Sequence, residues 1–157
     1  PACLARTWAE PDGSQVTQEV EHLFRDMIAA AKDSIYIENQ YFTSDVIANA
    51  LSDRLDEEDG PEVVLVLPAE TSGWLEQLTM EVLRNRVLNR LCAADEHGRL
   101  EILAPVAEEL DDTQINVHAK VMIVDDRWVR IGSANLSGRS MGLDSECDLV
   151  IDDSDCD

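Results

Sequence analysis

A short, uninterrupted apolar run at residues 63–67 constrains the fold more than any other feature of the chain. It reads Val-Val-Leu-Val-Leu and lies between a Gly60-Pro61 turn and Pro68. Five consecutive apolar residues bounded by turn residues are typical of a strand that is buried on both faces of a sheet. The run therefore predicts a strand in the interior of a layered α/β fold.

Helical and extended patterns alternate around this run. Apolar residues recur at helical spacing over 20–31, with Thr17 as a suitable N-cap, and over 46–55, with Thr43 or Ser44 in that position. A longer helix is predicted over 72–92, and further strands over 35–37, 100–103 and 149–151. The alternation predicts one domain over residues 1–157, built as a mixed, largely parallel β-sheet sandwiched between α-helices.

The charge of the chain is strongly negative. Its 157 residues suffice for a substantial core, but 33 acidic residues face 12 basic ones, a net charge of −21, and the only lysines are Lys32 and Lys120. Such a composition is typical of adaptation to high salt, where charge repulsion is screened, or of a plain compositional bias. In either case an acidic surface repels polyanions, so a nucleic-acid partner is disfavoured.

The cysteines and the hydropathy limit other functions. Cys3, Cys92, Cys147 and Cys156 have no metal-binding spacing, so we expect no zinc site and reduced thiols, although a disulfide stays open for an exported enzyme. The sequence has no signal-peptide pattern and no apolar run near the ~18 residues that span a bilayer. These features favour the cytoplasm or peripheral contact with a membrane.

Polar residues suited to phosphoryl chemistry are concentrated after residue 117. His118 and Lys120 lie two apart in an extended apolar segment, so they should share a face, and a hairpin turn at residues 125–127 should bring Gly132-Ser133-Ala134-Asn135 back beside them. The Lys120 ammonium and the Ser133 and Asn135 side chains suit stabilisation of phosphate oxygens. An imidazole can attack phosphorus or transfer protons.

Two carboxylates accompany this segment. Glu146 is suited to hold one ring nitrogen of His118 and thereby select its tautomer. Asp125 stands at the end of the predicted strand, where it is better suited to brace the turn or the region of Lys120.

These residues resemble the HKD signature of the phospholipase D superfamily. His118, Lys120 and Asp125 match its H-x-K-x4-D pattern, and residues 132–135 match its G-S-x-N pattern. Arg139-Ser140 and Asp144-Ser145-Glu146 match the R-S and D-x-E patterns that follow in lipid-acting members. The resemblance implies catalytic roles for His118, Lys120, Asp125 and Glu146, phosphate binding by Lys120, Ser133 and Asn135, and no metal or other cofactor.

The resemblance extends upstream. Residues 35–42 read Ile-Tyr-Ile-Glu-Asn-Gln-Tyr-Phe, like a block that precedes the second HKD motif in phospholipases D, and residues 4–8 resemble the start of that second half. Within the block, Asn39, Gln40 and Tyr41 are expected either to shape the wall of the pocket or to form a packed strand end.

The family builds its active site from two HKD motifs, and this chain has one, at residues 118–125. Neither His22 nor His97 is followed by Lys two residues later. The second motif must come from a homodimer mate or from the same, longer polypeptide. The upstream blocks, a start without Met and an end just after a strand favour a domain excised from a longer enzyme.

The resemblance implies a phospholipase D-type phosphodiesterase and transphosphatidylase, with a phospholipid substrate, a phosphohistidine intermediate, and water or an alcohol as acceptor. Three alternatives remain: a homodimeric phosphodiesterase or nuclease, a cardiolipin-synthase-like phosphatidyltransferase, and a lobe that only binds phospholipid.

The predicted helix over 72–92 carries two further sets of candidate residues. Its arginines are better explained as a solvated helix face than as a nucleic-acid stripe: Arg84, Arg86 and Arg90. Trp74 and Leu75 are candidates for acyl-chain contact or for core.

Overall fold

The computed structural model of the chain describes residues 1–10, 12–69, 74–107 and 115–153. These residues contain eight strands and four helices. In chain order they are β1 (Ala2–Ala9), β2 (Val16–Gln18), α1 (Glu19–Ala30), β3 (Ser34–Asn39), α2 (Asp45–Leu55), β4 (Glu62–Val66), α3 (Trp74–Ala94), β5 (Leu100–Leu103), β6 (Lys120–Val124), β7 (Trp128–Gly132), α4 (Gly138–Gly142) and β8 (Glu146–Asp152).

The strands form one mixed sheet in the order β2-β1-β8-β7-β6-β3-β4-β5. The α/β class and the mixed sheet predicted from the sequence are confirmed. The expectation that the sheet is largely parallel is wrong, because among the described strands only β3-β4 and β4-β5 pair in parallel and the other five neighbouring pairs are antiparallel. Two helical crossovers account for the parallel part, and hairpin and edge pairings account for the rest.

The helices form a single layer on one face of the sheet. Helix α1 contacts α2 and α4, and α2 contacts α3. The buried strand residues alternate in phase with this layer, so that Val63 and Leu65 are buried while Val64 and Val66 are only half-buried. On the opposite face Leu4 is 66% exposed and Ile131 51% exposed. Within the described residues the sheet is therefore covered on one side, and the predicted sandwich and two-sided burial of β4 are wrong.

Local signals account for the helices, with one exception. The Ser44 side chain accepts a hydrogen bond from the Ile47 N–H at 3.4 Å and caps α2, as predicted. Thr17 lies in β2 instead of capping α1, whose N-cap is Gln18 without a side-chain hydrogen bond. Helix α1 is held mainly by its apolar stripe, in which Phe24 and Ile28 are almost fully buried.

Two basic residues of α3, Arg86 and Arg90, contact the neighbouring helix α2. Arg90 binds the Asp45 carboxylate at 2.8 Å and the Asn49 side chain at 2.7 Å, and Arg86 lies 4.0 Å from Asp45. These contacts agree with the interpretation of a solvated helix face. The side chains of Trp74 and Leu75, predicted as acyl or core contacts, lie outside the described residues.

Two other sequence features can be checked in the structure. Cys3, Cys92 and Cys147 are free, exposed thiols, while Cys156 lies outside the described residues. No helix in the described ranges has the length and apolar character needed to cross a bilayer.

Candidate active site

The candidate site lies at one end of the sheet, where β6 and β8 begin and β3 and β7 end. The pairing register places Asn39 opposite Lys120 and Gly132 opposite Asp148 at this end. Because β6 and β7 are joined by a hairpin, residues 118–120 and 132–135 meet here despite their separation along the chain. The prediction that the hairpin brings the G-S-x-N segment back to Lys120 is confirmed.

Lys120 places an ammonium group at this end of the sheet, opposite Asn39. Its Nζ donates hydrogen bonds to Gln40 Oε1 at 3.3 Å and to the His118 carbonyl at 3.0 Å. Partial burial lowers the pKa of Lys120, the Glu146 carboxylate raises it in part, and the Arg130 guanidinium lowers it further. The side chain is thus anchored beside a carboxylate by two neutral oxygen acceptors, either of which a phosphate oxygen can replace.

His118 is an exposed residue just before β6, which begins at Lys120. The strand predicted from the apolar pattern is therefore shorter than expected. Among the described residues nothing forms a hydrogen bond with the His118 ring. In particular, the expected contact between Glu146 and the ring is not formed in this structure. The imidazole is left open to a ligand.

Ser133 and Glu146 form a polar pair beside Lys120. The Ser133 hydroxyl donates to Glu146 Oε2 and accepts from the Cys147 N–H at 3.0 Å. Ser133 is exposed and Glu146 half-buried. The two residues also line a cavity of about 360 Å³ whose wall includes Arg6 and Trp8. Glu146 therefore acts in this structure on Ser133 and, through space, on Lys120.

Asn135 is the last residue of the G-S-x-N loop, residues 132–135. Its backbone N–H donates to the Ser140 hydroxyl at 3.1 Å, while its buried side-chain Oδ1 has no hydrogen-bond partner among the described residues. An amide oxygen without a partner is unfavourable, so a donor on a bound ligand would stabilise this position, as would rotation of the amide. Ser140, the second residue of the R-S pair, thereby orients the backbone of Asn135.

The three residues of the upstream block have different positions. Asn39 is fully buried: its Oδ1 accepts from the Leu136 N–H at 3.3 Å and from the Tyr41 N–H at 3.2 Å. Gln40 contacts Lys120 directly, and its Nε2 donates to the Tyr41 hydroxyl at 3.4 Å. The alternative of a packed strand end is therefore correct for Asn39, whereas Gln40 and Tyr41 border the site.

Asp125 lies at the far end of β6, away from the other site residues. Its carboxylate accepts from the backbone N–H groups of Lys32 and Asp33, each at 2.8 Å, and of Ser34 at 2.9 Å. Asp125 and Asp126 have φ of 54° and 51°, which gives the predicted hairpin turn. The catalytic role that the resemblance implies for Asp125 does not agree with this position. The expected alternative, that Asp125 braces the turn, agrees with this position.

We expect Asp125→Asn to lower the free energy of unfolding by about 1.5–3 kcal/mol, because it weakens three charge-assisted hydrogen bonds. Burial alone would raise the pKa of Asp125, but the bonds from Ser34, Asp33 and Lys32 outweigh it and the pKa is lowered. The stabilisation is thus present above the unfolded pKa of about 3.9 and is lost as the pH falls through the lower folded value.

Urea unfolding between pH 3 and 7 measures this effect. Asp126→Asn is the matched control, since Asp126 also has positive φ but is exposed, and it should stay within about 0.5 kcal/mol of wild type. An equal loss in both variants would contradict the bracing role.

Two buried residues of the site region were missed from the sequence. Arg130 on β7 and Asp148 on β8 are both fully buried and form an ion pair under the G-S-x-N loop. One signal was available. More exposed positions flank each buried position of β7 and β8, and Arg130 and Asp148 are charged residues at buried positions. That signal requires knowing which face of the sheet is covered.

The sequence over most of this fold matches a known family. A family model described as the PLD-like domain of cardiolipin synthase matches residues 24–156. The chain belongs to the phospholipase D superfamily of enzymes.

A relative and two solved structures extend this result. Phospholipase D zeta 1 of Arabidopsis thaliana is 31% identical over 188 residues, and the alignment covers 90% of this chain but 17% of that protein. The phospholipase D family member Nuc from Salmonella typhimurium has a TM-score of 0.69 at 20% identity, covering 97% of this chain and 82% of Nuc. Phosphatidylserine synthase of Haemophilus influenzae Rd KW20 has a TM-score of 0.71 at 19% identity, covering 98% of this chain and 35% of that one. At such identities the structures show the phospholipase D fold alone.

Proposed function

We propose that the chain supplies one half of the active site of a phospholipase D-type phosphodiesterase and transphosphatidylase. The observation that carries the proposal is the meeting of Lys120, Gln40, Ser133 and Glu146 at one sheet end, where Lys120 also binds the backbone carbonyl of the exposed residue His118. An ammonium, a hydroxyl and an amide are donors suited to the charge that develops on phosphate oxygens during phosphoryl transfer. An exposed imidazole is suited to proton transfer near neutral pH.

The reaction follows a ping-pong course in this proposal. The histidine of the second HKD motif attacks phosphorus, the bond from phosphorus to the leaving alcohol breaks, and His118 donates the proton that the alcohol needs. His118 then takes a proton from water or an acceptor alcohol, which attacks phosphorus and breaks the bond to the other histidine. Lys120 and Asn135 bind the phosphate oxygens, and Ser133 does so when its hydroxyl proton turns from Glu146 Oε2 to the phosphate. Glu146 orients the Ser133 hydroxyl and balances the charge of Lys120.

Phospholipid is the proposed substrate because of charge. A chain of net charge −21 repels a polyanion, and Arg86 and Arg90, on the helix with the densest arginine spacing, are engaged by Asp45. A lipid headgroup requires only one phosphate to be clamped. The apolar parts of the substrate would stay with a membrane or vesicle surface.

The second motif comes either from a longer polypeptide or from a second copy of this chain. The small share of the Arabidopsis relative that is covered supports the first possibility, while the large share of Nuc that is covered supports a homodimeric phosphodiesterase. The family description also supports a different reaction, that of a phosphatidyltransferase of the cardiolipin-synthase kind, which differs in its acceptor alcohol.

The two-motif state is either a homodimer or a longer polypeptide that contains two HKD motifs. In that state we expect the chain to cleave phosphatidylcholine in vesicles and to form phosphatidylethanol when ethanol is present. Sedimentation equilibrium first establishes whether the chain dimerises. A dimer is assayed directly, and a monomer is assayed within the intact longer protein. Lys120→Ala should abolish both products, because no other ammonium lies at this end of the described sheet.

Parallel assays separate the candidate functions. Cleavage of a single-stranded DNA oligonucleotide without cleavage of lipid would contradict the lipid substrate and favour a nuclease. Transfer of phosphatidyl groups to phosphatidylglycerol but not to ethanol or water would favour the cardiolipin-synthase-like reaction. Full lipid cleavage by Lys120→Ala would reduce this chain to a lobe that binds phospholipid.

A further inference from the structure

A buried arginine connects the two segments that carry the candidate phosphate-binding groups. Arg130 Nη1 donates to the Lys120 carbonyl at 3.2 Å, and Nη2 donates to the Ala134 carbonyl at 3.1 Å. Lys120 begins β6, and Ala134 lies between Ser133 and Asn135 in the G-S-x-N loop. One guanidinium thus spans the strand that carries the ammonium and the loop that carries the hydroxyl and amide.

Asp148 completes the connection from the next strand. It accepts from Arg130 Nε at 2.9 Å and also from Nη2, while its other oxygen accepts from the Ala134 N–H at 3.2 Å. A Cβ added at Gly132 would lie 1.7 Å from this carboxylate, so only glycine permits its approach to the loop. The Phe24 ring stacks on the guanidinium at 4.3 Å, and both charged residues are fully buried.

We propose that Arg130 and Asp148 are positioning residues that hold Lys120 and the G-S-x-N loop in register for phosphoryl transfer. The inference rests on the proposed function and adds to it residues that do not touch the substrate. Preorganised donors are effective only when their separation matches the transition state, and a shift of about 1 Å can cost roughly 10²-fold in rate. The guanidinium suits this role because its rigid fork reaches two carbonyls and a carboxylate at once.

Arg130→Lys separates the positioning role from charge balance. A lysine keeps the positive charge beside Asp148 but, as a point charge on a flexible stem, does not hold both carbonyls in one fixed geometry. Arg99→Lys is the matched control. Arg99 also binds carbonyl oxygens, those of Leu55 at 2.8 Å and Gly60 at 2.6 Å, but it precedes β5 at the opposite end of the sheet.

Two measurements on the state that joins two motifs test the inference: kinetics of phosphatidylcholine cleavage in vesicles, and hydrogen exchange at the Ala134 amide. For Arg130→Lys we expect kcat to fall about 10- to 100-fold with KM changed by less than about threefold, and the Ala134 amide to exchange faster. Arg99→Lys should leave both readouts at the wild-type values. If Arg130→Lys does not fold, the double variant Arg130→Met/Asp148→Leu, which removes both charges together, replaces it.

The two measurements can contradict the proposed function and the positioning role separately. Wild-type protein without any phosphodiesterase activity would count against the proposed function, and the Ala134 exchange rate would still decide whether Arg130 holds the loop. Unchanged exchange and unchanged kcat in the folded Arg130 variant would overturn the positioning role alone. An equal fall of kcat in Arg99→Lys would also overturn it, because the effect would then reflect general destabilisation.

Discussion

His118→Ala is expected to lower kcat/KM for phosphodiester cleavage by about 10²–10⁴-fold, the range that a positioned general acid or base contributes. The same change should alter the free energy of unfolding by less than about 0.5 kcal/mol. The structural reason is that His118 is exposed and its ring forms no hydrogen bond with the described residues. His118→Ala is therefore expected to lower the activity without lowering the stability.

The measurement compares lipid cleavage by the joined two-motif state with urea unfolding of the same preparations. His97→Ala is the control, because His97 is also exposed but follows α3, near the start of β5 and at the opposite end of the sheet from Lys120. It should match wild type in both assays. Wild-type turnover by His118→Ala would remove the imidazole from the mechanism, whichever histidine forms the covalent intermediate.

Breaking the buried ion pair from one side should have the largest effect on stability. Arg130→Met leaves the Asp148 carboxylate buried without its cation, and Asp148→Leu leaves the guanidinium in the same condition. Removing one partner of a buried pair typically costs about 3–5 kcal/mol, whereas replacing both by apolar residues is often neutral. The double variant should therefore be more stable than either single variant.

Urea unfolding of the wild type, the two single variants and the double variant forms a double-mutant cycle that measures this coupling. Met and Leu are chosen because they fill volume beside Phe24, which stacks on Arg130. Additive losses, with the double variant the least stable of the four, would mean that the packing of each side chain matters more than their charge pairing. The Arg127–Asp152 pair, whose arginine is largely exposed, offers a comparison. Arg127→Met should cost much less stability than Arg130→Met, because solvent screens the exposed pair.

Elements and motif residues were largely accessible from the sequence because their signals are local. The apolar spacing of α1, the Ser44 cap of α2 and the turn at Asp125 and Asp126 each depend on residues within a few positions of one another. The proximity of Lys120 to residues 132–135 followed from one hairpin, which is also a local structure. For these features short-range periodicity and turn chemistry were sufficient.

Two expectations that depend on strand neighbours differ from the contacts seen in the structure. The apolar run around β4 suggested burial on both faces, yet Val64 and Val66 are only half-buried, since an apolar side chain does not reveal whether anything covers it. Glu146 was assigned to His118 from its place in the motif, but it binds Ser133. Its side-chain direction depends on how β8 pairs with β7, which is not a local property.

The sequence by itself indicated the superfamily, through the resemblance of its motif residues, and the α/β class and the groups Lys120 and Ser133 of the candidate site, because these signals are local. Only the tertiary structure decided that Asp125 binds the backbone of residues 32–34, that Asn39 braces the loop, and that Arg130 and Asp148 join β6, β7 and β8 beneath it. The physical reason is that a buried charge is tolerated only where partners from several strands converge on it. That convergence is a property of strand order and register, which residues distant in sequence set together.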